Sequence, residues 1–309
     1  MSTIREIYDH EEFPAPFGVE VEMEYADRPK YTPMFQNYWK VHGENSLRGY
    51  SDELVTNRQV NWDNLPTVFD SLHKNFGVNS PHPTHRASTH IHINMQEKTT
   101  TEVLTAAVAF WWAEPLLATF CGEQRKGNNF SLSLSEAPGI LTEIKRGLFY
   151  KLPLGYIDDG ARYGSLNLGA LSKFGSLEFR SMRATTDTNL IDRWLKMCYA
   201  ITRVSEQFKN PALFMDEVFR NSPTVMLEAV TGDVNFVDLH TLEEIKEATR
   251  ENLGLLSSLV YDSDWVEAEE EPVVPTLRKW VQDEEDALLG AEDLEELAEL
   301  LDDEPEGDV

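Results

Sequence analysis

A chain of 309 residues, 41% hydrophobic and 10% aromatic, has enough apolar material to bury the core of one large domain or two small ones, which excludes an intrinsically disordered protein. Its formal net charge of −27 excludes non-specific nucleic-acid binding as a main activity, because phosphates would be repelled. The charge is uneven: residues 265–309 hold 18 acidic and 2 basic side chains, which leaves about −11 on the rest.

Met1 to Phe13 is charged and carries no apolar secretory core. Residues 17–25, F-G-V-E-V-E-M-E-Y, alternate strictly and predict a strand. Residues 38–56, punctuated by Gly43 and Gly49, predict a strand–turn–strand unit. Leu65, Phe69, Leu72 and Phe76 recur at helical spacing after Pro66 and predict a short helix. His90 to Met95 alternates again, and a long helix from about Thr101 to Phe120 follows, kinked at Pro115.

The apolar run from Ala106 to Phe120 is interrupted by Glu114 and Pro115 and reads as too short to span a bilayer. With only Cys121 and Cys198, outside any redox spacing, no disulfide framework is expected, and the reading is a soluble, cytoplasmic protein with no membrane partner.

Residues 122–160, rich in Gly, Ser and short polar runs, read as a long excursion covering a site. Strands are expected near Arg162 to Leu168 and Gly175 to Ser181. Helices then dominate: one from Leu190 to Phe208 capped by Asp187 or Thr188, another opened by Pro211, a third from Leu242 to Val260. Beyond Pro272 and Pro275, Asp283 to Asp303 reads as an acidic amphipathic helix. Strands grouped first and helices later predict an α+β fold, with residues 1–264 as a single domain and 265–309 as an acidic tail.

The strands carry unusual polar faces. Glu20, Glu22 and Glu24 share one face, as do His90, His92 and Asn94, and likewise Glu178 and Arg180, each backed by apolar residues. Taken alone, each pattern fits a sheet with one solvated face. Three adjacent carboxylates, however, repel one another unless something positive neutralises them. Side by side, the three strands would line one cleft. Carboxylates and imidazole suit Mg2+ or Mn2+, and Arg180, Arg183 and Arg162 offer planar forks for phosphate or carboxylate, which together describe phosphoryl transfer. No G-x-x-x-x-G-K or G-x-G-x-x-G occurs, so a metal-centred sheet would replace a phosphate loop.

These segments resemble a known family. F-G-V-E-V-E-M-E at 17–24 resembles the E-x-E strand of the glutamine synthetase / glutamate–cysteine ligase superfamily, and N-S-L-R-G-Y-S-D-E-L-V at 45–55 the next segment of its amidoligase branch. S-T-H-I-H-I-N at 88–94 resembles its His-x-His strand; R-Y-G-S-L-N-L at 162–168 and S-L-E-F-R-S-M-R at 176–183 resemble its closing motifs. The motifs fall in the family's order over residues 17–200. The resemblance implies a glutamine synthetase-like catalytic fold whose antiparallel sheet, packed by helices, cups Mg2+ ions over ATP.

By that resemblance Glu20, His90 and Glu178 would ligate one metal, and Glu22, Glu53 and Glu44 the other. Arg180 and Arg162 would steady the transferred phosphoryl group, and His92 would lie near the nucleotide. Glu44-Asn45-Ser46-Leu47 departs from the family's Asp-Gly-Ser-Leu. The implied reaction is an ATP-dependent joining of a carboxylate to an amine (amino acid, peptide or polyamine) through an acyl-phosphate, with 122–160 as a lid. Two other readings compete. His82, His85, His90 and His92 could form a zinc hydrolase site. The acidic tail could instead mark a non-enzymatic interaction protein with its own protein partner.

Overall fold

The computed structural model describes residues 2–265 apart from 26, 28, 44–46, 77–83, 123–124, 126–127, 130, 152, 156–162, 233–241 and 264. Glu44, Arg162, His82 and the whole acidic tail after Trp265 lie outside the described residues.

Among the described residues six strands form one antiparallel open sheet: β1 (Phe17–Tyr25), β2 (Trp39–Gly43), β3 (Tyr50–Thr56), β4 (Ser88–Asn94), β5 (Leu166–Asn167) and β6 (Ser176–Arg183). Their order is β2-β3-β1-β4-β6-β5, and every pairing is antiparallel. The fold is α+β, as expected. Phe17, Val19, Val21 and Met23 of β1, Ile91 and Ile93 of β4, and Leu177 and Phe179 of β6 are buried on one face. The alternating polar residues occupy the other. Strand alternation thus separates a core face from a site face.

Helices cover the core face. The described helices are α1 (Ile4–Tyr8), α2 (Pro33–Tyr38), α3 (Leu65–Phe76), α4 (Thr100–Cys121), α5 (Pro138–Tyr150), α6 (Ala170–Phe174), α7 (Thr188–Thr202), α8 (Val204–Gln207), α9 (Pro211–Arg220), α10 (Pro223–Thr231) and α11 (Leu242–Tyr261). Helix α4 packs on β6 and α7 on β4; α9, α10 and α11 pack behind α4. Helix α4 is apolar all round and buried on nearly every side, which marks a central helix rather than a surface one. Its 22 residues make it long and apolar enough to cross a membrane, contrary to the length read from the sequence, because the helix runs on through Glu114 and Pro115; 83% of its most apolar window is buried inside the fold.

Pro115 has no N–H, so the carbonyl four residues earlier, Trp111 O, loses its helical partner. Asn252 of α11, itself buried, donates Nδ2–H to that oxygen at 2.7 Å. Glu114 is buried beside it. Ser165 Oγ donates to Glu114 Oε1, and the Leu134 amide donates to both carboxylate oxygens at 3.0 Å. Burial, with the Glu136 charge adding to it, pushes Glu114 up to about 7 against those hydrogen bonds. Through these contacts α4 holds the segment that leads into β5.

The excursion at 122–160 is not a bare loop. It contains α5, whose Ile140, Ile144 and Leu148 are buried, and the chain pairs back through Leu132 N–H to Tyr163 O (2.9 Å) and Ser165 N–H to Leu132 O (2.7 Å).

Candidate metal centre

Register decides which polar side chains meet. Glu20 of β1 stands opposite His90 of β4, and His92 stands opposite Glu178 of β6. Glu22 faces Glu53 of β3, which faces His42 of β2. Between Thr89 and Ile91 the β4–β6 register slips, so that Arg180 and Ser181 lie across from His90. Arg125 clamps this bulge: Nη2–H donates to Arg180 O at 2.9 Å, Nε–H to Ser181 O at 3.3 Å and Nη1–H to His85 O at 3.4 Å. Burial brings the Arg125 guanidinium down to about 10.

At the centre, His90 Nδ1 lies 3.4 Å from Glu20 Oε2 and 3.4 Å from Glu178 Oε1. One ligand atom from each of Glu20, His90 and Glu178 falls within 4.8 Å of the others, the one such group among the described residues. Ligands around a six-coordinate Mg2+ at about 2.1 Å sit roughly 3.0 Å apart, so the trio fits such an ion with a small inward movement. The donor set, two carboxylates and one imidazole, suits Mg2+ or Mn2+ better than zinc. His85 is not in this group; its carbonyl is taken by Arg125 and by Asn128 Nδ2–H at 2.6 Å.

Glu178 is buried, and each of its oxygens accepts a side-chain hydrogen bond. Arg180 Nη1–H donates to its Oε1, and Asn167 Nδ2–H from β5 donates to its Oε2 at 2.6 Å. Burial pushes this carboxyl up, but Arg180 first, then His92 and His90, hold it below the usual range. Glu20 behaves similarly: burial opposes, and the charges and hydrogen bonds of His92 and His90 hold it well below. For His92 burial lowers affinity for the proton, yet Glu20 and Glu178 outweigh that and raise it to about 9. His92 Nε2 lies 3.3 Å from Glu20 Oε1, and its Nδ1 is 3.0 Å from Ser176 Oγ. The buried Arg180 Nε has no hydrogen-bond partner, which leaves a donor available for an anion.

A cavity of about 420 Å3 adjoins Glu20 and His92. Gly18, Thr56, Asn94 and Ser176 contribute to its lining, as do Lys40, Arg58 and Lys173. Phe174 is 61% exposed there and meets the His92 ring edge-on, with centroids 5.9 Å apart. Arg58 lies over the Phe13 ring.

Of the expected site residues, Glu20, His90, His92, Glu178 and Arg180 converge. Glu22 is adjacent and buried, its Oε2 accepting from Ser88, and Glu53 neighbours it in register. Arg183 does not join them: its Nη1–H donates to Phe120 O at 3.0 Å, at the C-terminal end of α4. Glu24 accepts the Arg48 amide at 2.9 Å. Sequence reading missed Ser88, Arg125 and the support role of Asn167. Ser88 had a legible signal, since it shares the face of His90 and His92 two residues ahead. Arg125 had none, because it binds carbonyls. No protein-family model and no curated protein matches this chain.

Proposed function

We propose that the chain is an ATP- and Mg2+-dependent carboxylate–amine ligase of the amidoligase type, with a glutamine synthetase-like catalytic fold. The observation that carries this reading is the Glu20–His90–Glu178 group, joined to Arg180 on the polar face of an antiparallel sheet. Glu20, His90 and Glu178 would hold Mg2+, or Mn2+ in its place, which supplies charge neutralisation for the phosphates. Glu22 and Glu53 are adjacent candidates for a second ion.

A carboxylate oxygen of the substrate attacks the γ-phosphorus of ATP and ADP leaves. The amine nitrogen then attacks the acyl carbon, loses a proton, and phosphate departs with the former carboxylate oxygen. Arg180 would steady negative charge on the transferred group with its unpaired Nε–H, and Arg125, bonded to the Arg180 carbonyl, would hold the bulge that carries it. The neighbouring cavity is of a size for the nucleoside, with Phe174 as an aromatic edge and Lys40, Arg58 and Lys173 as cations near anionic groups. His92 sits between this cavity and the metal group, a position suited to a nucleotide neighbour.

The test is Mg2+-dependent ATP binding by the full chain and by Glu20→Ala and Glu178→Ala. Both variants are expected to lose it while keeping a cooperative melting transition. Wild-type binding in both folded variants would overturn the reading.

A further inference from the structure

Ser88 heads β4, two residues before His90 on the same face, and is 1% exposed. Its Oγ lies 2.6 Å from Glu22 Oε2 and 2.6 Å from His90 Nε2, and its amide N–H donates to the same Glu22 oxygen at 3.0 Å. A carboxylate oxygen only accepts, so the Ser88 hydroxyl hydrogen points to Glu22. The oxygen lone pairs of Ser88 are then what faces His90, and Nε2 must carry a proton to meet them. That leaves Nδ1 as the nitrogen aimed at Glu20 and Glu178, 3.4 Å from each.

We propose that Ser88 is a positioning residue that, with Glu22 behind it, locks His90 with Nε2 protonated and Nδ1 as the metal-ligating atom. The inference rests on the metal site of the ligase reading, and it adds the tautomer, the ligand atom and the residue that sets both. It also divides the work of Glu22: Oε2 is engaged by Ser88, and Oε1 is the oxygen left for a second cation beside Glu53. Without the Ser88 hydroxyl the ring keeps only the longer contacts of Nδ1 with Glu20 Oε2 at 3.4 Å and Arg180 Nη1 at 3.5 Å, and a flipped ring points Nδ1 away from the carboxylates. Outer partners of this kind typically change metal affinity 10–100-fold.

Two measurements test it. In metal-free wild-type protein with 15N-labelled histidine, assigned with His90→Gln, the nitrogen spectrum is expected to show His90 Nε2 protonated; an unprotonated Nε2 overturns the proposal without any variant having to fold. In Mn2+ titrations followed by electron paramagnetic resonance, Ser88→Ala is expected to bind about 10–100-fold more weakly, with Ser88→Thr recovering most of the loss because it retains the hydroxyl. Wild-type Mn2+ affinity in folded Ser88→Ala overturns it as well. A protein that passes both tests but never consumes ATP would retain the Ser88 relay and lose the ligase assignment, so the two failures are distinguishable.

Discussion

Asn252 and Trp111 meet across two helices: the Asn252 side-chain amide donates at 2.7 Å to the Trp111 carbonyl that Pro115 leaves without a helical partner. A proline in the middle of the central helix is tolerated because α11 satisfies the group it orphans. Both partners are buried, so Asn252→Ala would strand a carbonyl away from water at a cost of about 1–3 kcal/mol. Denaturant unfolding should show that loss with an unchanged slope. A variant as stable as wild type would mean that the α4–α11 contact holds nothing at Pro115.

Glu114, one residue before that proline, gives a pH prediction. Its folded-state value of about 7 lies above the ordinary 4.5, so folding favours the neutral form. The stability it contributes is complete below about 4.5 and is lost as pH rises through 7, an effect on the order of a few kcal/mol. Glu114→Gln keeps an acceptor for the Leu134 amide and cannot ionise. Its stability curve between about pH 4.5 and 7 should be flatter than that of wild type, as read by thermal melts across that range. Parallel curves would show that Glu114 titrates normally.

Metal binding should couple to stability. An ion that binds only the folded chain stabilises by about 2.7 kcal/mol at a hundredfold excess over its dissociation constant. Mn2+ or Mg2+ is therefore expected to raise the melting temperature of wild type, and chelator to reverse it. Glu178→Ala, which removes a ligand from the Glu20–His90–Glu178 group, should show no such rise. An equal rise in both proteins would place the ion elsewhere.

Much of this arrangement was legible in the residues. Strict alternation gives β1 at Phe17–Tyr25, and helical spacing gives α3 at Leu65–Phe76, because both elements have one face committed to the core. Helix α5 was not legible: Pro138, Gly139 and Gly147 dilute its pattern. Gly147 has a tertiary reason, since a Cβ there would meet Leu154 Cδ2 at 2.7 Å. Among the described residues of the strand expected near 162–168, only Leu166–Asn167 is a strand, with Gly164 joined to Leu132 by an isolated bridge.

The site followed the same division. Which residues share a face can be counted along a strand, so Glu20 with Glu22 and His90 with His92 could be grouped. Strand order cannot be counted. Only β1 lying between β3 and β4 brings Glu22 to Ser88, and only the β6 bulge sets Arg180 and Ser181 opposite His90. Arg183 looked like a second anion fork, but its guanidinium meets a helix-end carbonyl that no side-chain pattern reveals.

The central claim is that the Glu20–His90–Glu178 group serves amide-bond formation through an acyl-phosphate. ADP release, screened over amino acids, peptides and polyamines with Mg2+ present, finds the pair of substrates. With that pair, a carboxylate labelled with 18O tests the chemistry. The account predicts amine-dependent ADP release and one labelled oxygen transferred from the carboxylate to inorganic phosphate, both abolished in Glu178→Ala. ATP hydrolysis that ignores every amine and leaves the phosphate unlabelled would contradict it.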